Sequence, residues 1–331
     1  MSNENKIVRL KDIAEALNTS INTVSHALKD KPDISKEMKD KVKKKAMELG
    51  YFPNIVAASL RNGSSKVIAV VFDNLLNPYY MIMADLITTK LLNSKYATFI
   101  YRLDKGDFSM DVLFKIFSRK VDGIISFSEP TSEICEFCKR LNMPLVLVGR
   151  KNEKLNISCV YTDDLKGGYL ACETLIKAGC KNVAYLGNPY VIECSRRRKE
   201  GFLKYLEDNN CNLNYENYLF LKEDNESIDK YIEKFLNNNV DGIFCFNDMM
   251  ALDVIRYLHL KNIRVPEQIK VIGYDNLDEN FPLPFNLTSV GSDKCKTIDI
   301  TLDILFKQIL ENKHINDAVE LGINIVKKET C

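Results

Sequence analysis

Residues 10–29, LKDIAEALNTSINTVSHALK, constrain this chain more than any other stretch. Ile13, Ala14 and Leu17 recur at helical spacing, and so do Val24, Ala27 and Leu28. Asn18, Thr19 and Ser20 interrupt the pattern between them. Asn tolerates the left-handed conformation that a sharp turn demands. Ser20 stands at the N-cap position ahead of INTVSHAL, where its hydroxyl can satisfy an orphan backbone N–H. Two short helices joined in this way form a helix-turn-helix, whose second helix lies in the DNA major groove. A third helix is expected after the loop KDKPD, capped by Ser35, striped by Met38, Val42, Ala46 and Leu49, and ended by Gly50.

Bulk properties agree with a DNA-reading module attached to a larger body. Residues 1–61 hold twelve Lys and Arg against eight Asp and Glu, and the rest hold 34 against 37. The signs suit a small unit on phosphates and a larger one that stays off them. Hydrophobic content is 46% and charged content 27%, an ordinary globular balance. No apolar run approaches the ~20 residues that span a bilayer, and MSNENKIVRL has no signal-peptide core. A cytoplasmic protein without membrane contact is the expectation. The ten Cys then read as reduced thiols. Cys135 and Cys138 form a CxxC, but with Ile134 and Leu141 they fall at helical spacing and read as core residues rather than metal or redox ligands.

After Pro53, the segment NIVAASLR is too short to hold a helix in water unaided. At this point a resemblance becomes specific. The strings LKDIA, TVSHAL, ELGYFPN and NIVAASLR, in this order, resemble the DNA-binding region of the lactose/galactose repressor (LacI/GalR) family of bacterial regulators. The resemblance implies a hinge helix begun by Asn54, paired with its dimer mate through Ala57, with Leu60 as a wedge in the minor groove. It places base reading on Ile21, Asn22 and His26. Asn suits adenine, His a guanine edge and Ile a thymine methyl. Ser20, Thr23 and Ser25 are short hydroxyls suited to phosphate contacts. Asn18 replaces the family's usual turn Gly.

From Lys66 onward, buried strands alternate with amphipathic stretches. KVIAVVFD, ATFIYRL, VDGIISFS, PLVLVGR, SCVYTD, NVAYLGN, NYLFLK, VDGIFCFND and KVIGYDN are the strand candidates. Such alternation argues for parallel sheets covered by helices. VDGIISFS at Val121 echoes VDGIFCFN at Val240, so two similar α/β lobes are expected. With the resemblance, the fold reads as an N-terminal three-helix headpiece (1–53), a hinge helix and linker (54–65), and two Rossmann-like α/β lobes of the periplasmic-binding-protein type (66–331). The first lobe takes about 66–162 plus 291–320. The second takes about 163–288 plus a C-terminal strand.

Ligands of open α/β sheets sit beyond the carboxyl ends of the strands. Polar residues gather there: Asp73, Asn77, Tyr79, Tyr80, Asp163, Arg196, Asn247 and Asp275. Carboxylates, amides and guanidinium forks beside aromatic faces hold sugar hydroxyls or purine-like rings. The resemblance extends here through DNLLNPYY, SRRRKEGF, FNDMMAL, GYDN and LTSV. It places effector binding on Arg196, Asn247 and Asp275. The chain departs from the family in having Cys180 after Gly179, GSDK after LTSV, and no aromatic residue in LKEDNESID.

Nothing points to catalysis or a cofactor. Neither GxGxxG nor GxxxxGK[ST] opens a helix, GxSxG and HExxH are absent, and only His26, His259 and His314 are present. The reading is a homodimeric transcriptional regulator, a repressor on a palindromic operator, controlled by a small-molecule effector, a sugar or sugar derivative, in the interlobe cleft. Control by a protein partner, or no response to a metabolite, stays open. A sugar-binding receptor or an enzyme on the same two-lobed plan is opposed by the helix-turn-helix and by the lack of a nucleophile–base pair.

Overall fold

The computed structural model describes residues 8–52, 64–104, 108–189, 192–222 and 227–331. It divides into two compact units, 1–65 and 66–331.

The smaller unit is a bundle of α1 (Leu10–Ala16), α2 (Ile21–Leu28) and α3 (Lys36–Leu49). Asn18 takes φ 49°, turning the chain between α1 and α2. Ser20 caps α2 by accepting from the Thr23 N–H at 3.0 Å, and Ser35 caps α3 through the Met38 N–H. Gly50 ends α3 with φ 70°, a left-handed cap that favours residues without Cβ. Ile13, Ala14, Val24, Ala27, Val42 and Ala46 form the core.

The larger unit holds two six-stranded sheets. In chain order the first lobe runs β1 (Val67–Phe72), α4 (Pro78–Asn93), β2 (Ala97–Arg102), α5 (Met110–Phe117), β3 (Gly123–Ser126), α6 (Ser132–Arg140), β4 (Leu145–Val148) and β5 (Ser158–Thr162). The second runs α7 (Asp164–Lys177), β6 (Val183–Gly187), α8 (Glu193–Asp208), β7 (Tyr218–Phe220), α9 (Asp229–Asn237), β8 (Gly242–Cys245), α10 (Asp248–Leu260), β9 (Lys270–Tyr274) and β10 (Ser289–Gly291). The chain then returns through α11 (Lys294–Glu311) and β11 (Ala318–Leu321) to the first sheet, and closes with β12 (Asn324–Val326) on the second. The sheet orders are β11-β5-β4-β3-β1-β2 and β12-β10-β9-β8-β6-β7. All pairings are parallel except β10 with β12.

Apolar runs explain the burial. VIAVVF of β1 is buried from its second residue onward, as a strand with helices on both faces must be. Ile298, Leu302 and Leu305 of α11 pack with Ile68 and Val70 of β1. The lobes are therefore joined by three chain crossings, after β5, after β10 and after β11. Cys135 and Cys138 lie buried in an apolar cluster with Ile134 and Leu145, in keeping with their reading as core residues. No helix of the described residues is long and apolar enough to cross a membrane.

Candidate functional site

Two sites emerge, one in each unit. On α2 the apolar residues Val24 and Ala27 face the core. Ile21, 49% exposed, and Asn22 therefore project outward. The Ser20 hydroxyl is engaged by its own helix, capping Thr23 and lying 2.9 Å from the Thr23 hydroxyl. Thr23, Ser25 and His26 are half-buried along the flanks. His26 Nδ1 lies 2.6 Å from Asp33 Oδ2, which fixes the ring and leaves Nε2 without a partner among the described residues. The same contact holds the Asp33 carboxyl below its ordinary range. Asp33 is thus an orienting residue that the sequence pattern did not single out. Asn54, Ala57 and Leu60 lie outside the described residues.

The second site is a cleft between the two lobes of the larger unit. An inner cavity of about 100 Å³ is lined by Asn77, Tyr79, Tyr80, Asn247 and Asp275, five of the eight residues expected from sequence. Asn77 and Asn247 also cap helices, accepting from Tyr79 N–H at 3.0 Å and Met250 N–H at 2.8 Å. Asp73, Asp163 and Arg196 line an outer cleft of about 940 Å³ instead. Arg150, Tyr161, Thr162 and Cys194 belong to both linings.

The two arginines Arg196 and Arg198 take different places in the cleft. Arg196 does not enter the inner cavity. It is drawn along the helix surface into ion pairs with Glu193 at 2.7 Å and Glu200 at 2.5 Å. Arg198 lines the cavity in its place. The cause is helix packing. Gly168 of α7 and Gly201 of α8 let the two backbones touch, since a Cβ on Gly201 would fall 1.8 Å from the Leu165 carbonyl oxygen. Arg198, one turn before Gly201, is on that buried face, and Arg196 is not. Arg198 Nε donates to Asp164 at 2.8 Å and Nη1 to the Phe246 carbonyl at 2.5 Å. Its guanidinium carbon lies 3.4 Å from the Tyr274 ring centroid, a close cation–π contact. Tyr274 in turn donates its hydroxyl to Asp164.

Asp248, buried beneath the cavity, lies near the half-buried Asp275 that lines it. Asp248 accepts from Ser289 Oγ at 2.6 Å and Leu277 N–H at 2.7 Å. Burial, with Asp275 nearby, pushes its carboxyl up to about 8. Asp275 sits at φ 106°, a left-handed-side conformation an L residue rarely takes. Burial pushes its carboxyl up to about 7 against the pull of Arg198 and Lys294. Lys294, itself lowered by burial, donates to the Asn276 carbonyl at 2.8 Å.

These raised values have a signed consequence. The folded chain holds protons on the two acids that the unfolded chain, with ordinary carboxyls, has released. Their stabilisation is complete below the ordinary carboxyl range and is lost as pH rises through about 7 and then about 8. The urea midpoint of the larger unit should therefore fall between pH 6 and pH 8.5. Asp275→Asn should flatten the part of that fall that ends near 7; a midpoint rising over this range would refute the assignment.

Aromatic faces, two amides, an acid and a fixed guanidinium converge on one small cavity. That set can hold a compact polyhydroxylated molecule by hydrogen bonds and ring stacking. Arg150, Tyr161, Phe127, Phe246, Tyr274 and Lys294 were not expected from sequence. Arg150 and Tyr161 flank the carboxyl ends of β4 and β5, where the strand-end rule alone would have found them.

Comparison with known proteins finds relatives of both units. Residues 9–54 match the model of bacterial regulatory proteins of the lacI family, and residues 172–331 match a periplasmic binding protein-like domain. The chain is 25% identical over 328 residues to the HTH-type transcriptional repressor PurR of Aliivibrio salmonicida, covering 97% of this chain and 98% of that one. It is 29% identical to the probable HTH-type transcriptional repressor ExuR of Bacillus subtilis, with 82% of each covered. Among solved structures, the lac repressor dimer bound to operator and an anti-inducer superimposes with a TM-score of 0.81 at 22% identity, covering 98% of this chain and 99% of that one.

Proposed function

Since this chain belongs to the LacI family of bacterial regulatory proteins and is a DNA-binding transcriptional repressor of that kind, we propose that it acts as a homodimer on a near-palindromic operator and answers to a small polyhydroxylated effector, a sugar or sugar derivative, held in the interlobe cleft. The observation that carries the effector reading is the convergence of Asp275, Asn247 and Arg198 from the second lobe on Asn77, Tyr79 and Tyr80 from the first. A ligand touching both lobes favours their closed arrangement over any open one. Such a difference in affinity between two states is what an allosteric signal consists of, typically about 1–3 kcal/mol.

On the DNA side, two copies of α2 would enter successive major grooves. Asn22 would read adenine, Ile21 a thymine methyl, and His26, held by Asp33, a guanine edge. Ser25 and Thr23 would contact phosphates, and Asn54, Ala57 and Leu60 would form the hinge contacts.

The test is thermal unfolding of the full chain against neutral sugars, sugar acids, sugar phosphates and nucleosides. A ligand at 100 times its Kd adds about 2.7 kcal/mol, a readily measured shift. Each hit is then tested for its effect on binding to a DNA library selected by the protein. A stabilising ligand that changes operator affinity supports the reading. If no polyhydroxylated compound shifts the transition, the effector assignment fails.

A further inference from the structure

We infer that the cleft ligand carries an anionic group, a carboxylate or a phosphate, which is received by Arg150. This rests on the reading of the cleft as an effector site and goes one step further, to the charge of the effector.

Three cations line the inner cavity, and their circumstances differ. Arg198 is neutralised by Asp164 at 2.8 Å and gives a second bond to the Phe246 carbonyl. Lys294 donates to the Asn276 carbonyl and lies 3.8 Å from Glu279. Arg150 has no such match. It gives one bond, from Nη2 to the Phe127 carbonyl at 3.0 Å. Among the described residues, no carboxylate comes within 4.0 Å of its nitrogens. Asp73 and Glu129 are near enough to favour its charge, but neither bonds it, and Glu129 is engaged by the Asn152 side-chain amide.

A guanidinium stays charged and presents five N–H donors in a planar fork that matches carboxylate and phosphate oxygens. Half-buried and giving one bond, it keeps most of its donors unmet by the described residues. A ligand that supplies an anion meets them with charge-assisted bonds, so charge becomes a source of selectivity.

The position is suitable. Gly149, at φ 89°, turns the chain sharply after β4 and places Arg150 in the linings of both the inner cavity and the outer cleft. Cys194, at the start of α8 on the opposite lobe, shares those linings. An anion at Arg150 would therefore sit at the mouth, with the remainder of the ligand further in. Asp73, also at the mouth, has one buried carboxylate oxygen without a donor among the described residues. It is an acceptor for a neighbouring hydroxyl. Hydroxyls beside an anion describe a sugar acid or a sugar phosphate.

The experiment is calorimetric titration of the full chain with glucose, galactose, glucuronate, galacturonate and glucose 6-phosphate, at low and high ionic strength. At least one anionic member should bind about tenfold or more tightly than its neutral parent. That advantage should shrink in high salt. It should disappear in Arg150→Met and persist in part in Arg150→Lys, with unliganded melting curves as the control for folding. A preference confined to the uronates assigns a carboxylate, and one confined to the phosphate ester assigns a phosphate. A neutral parent that binds as tightly, or a preference that survives Arg150→Met, overturns the anion assignment and leaves the effector cleft standing. Absence of binding by all five overturns both.

Discussion

Arg198→Met is expected to lower the stability of the larger unit by about 3–5 kcal/mol and to remove effector binding. The substitution keeps the length and much of the packing of the side chain, so the loss is electrostatic. Asp164 has a side chain only 6% exposed and would be left without its cation. The Phe246 carbonyl would lose its donor, and the Tyr274 ring its cation–π partner. The Tyr274 hydroxyl would remain on Asp164, but one neutral donor does not replace a guanidinium. Urea unfolding measures the cost. Adding Asp164→Asn should restore part of it, because the buried charge is then gone, whereas effector binding should stay lost. Arg196→Ala serves as the comparison. Its ion pairs are exposed contacts along one helix, at spacings worth about half a kcal/mol each. A cost for Arg196→Ala as large as for Arg198→Met would reverse the assignment.

That contrast also measures how far the sequence can be read. The three-helix headpiece was legible because its signals are local: Asn18 for the turn, Ser20 and Ser35 for the caps, and Gly50 for the stop all act within a few residues. The two parallel sheets were legible because strands buried on both faces are apolar throughout. The cleft was legible only where its residues follow strands, as Asn77, Asn247 and Asp275 do. The resemblance carried by SRRRKEGF points to Arg196 as the cleft arginine. Helical period gives the other answer. Ser195, Arg198, Gly201, Phe202 and Tyr205 form one stripe at spacings of three and four, and that stripe is the buried one. Arg150 stands at a strand end that the sequence shows, but whether it or Lys294 is matched by a carboxylate is not a local property. Whether a cation is matched depends on which carboxylates the fold brings near it, and those come from distant segments.

Ile13→Ala is expected to weaken operator binding by well over tenfold while leaving effector binding in place. Ile13 is fully buried in a core of six residues, where it is the largest side chain. Truncation to Ala in a core costs about 2–5 kcal/mol. A three-helix unit of this size has little margin, because small domains bury a small share of their surface. The cost is therefore comparable with the whole stability of the unit. If two headpieces must be folded together to hold one operator, the penalty enters twice, and affinity should fall by well over tenfold. Residues 66–331 pack their own clusters, from Ile68 and Val70 in the first lobe to Ile243 and Val254 in the second. Their effector-dependent melting transition should stay where it is. Ile13→Val, costing about 0.5–1.5 kcal/mol, should weaken operator binding in proportion. Operator affinity unchanged in Ile13→Ala, with its helical circular dichroism intact, would mean that this core does not hold α2 in its reading position. Parallel loss of effector binding would mean that the two units do not fold independently.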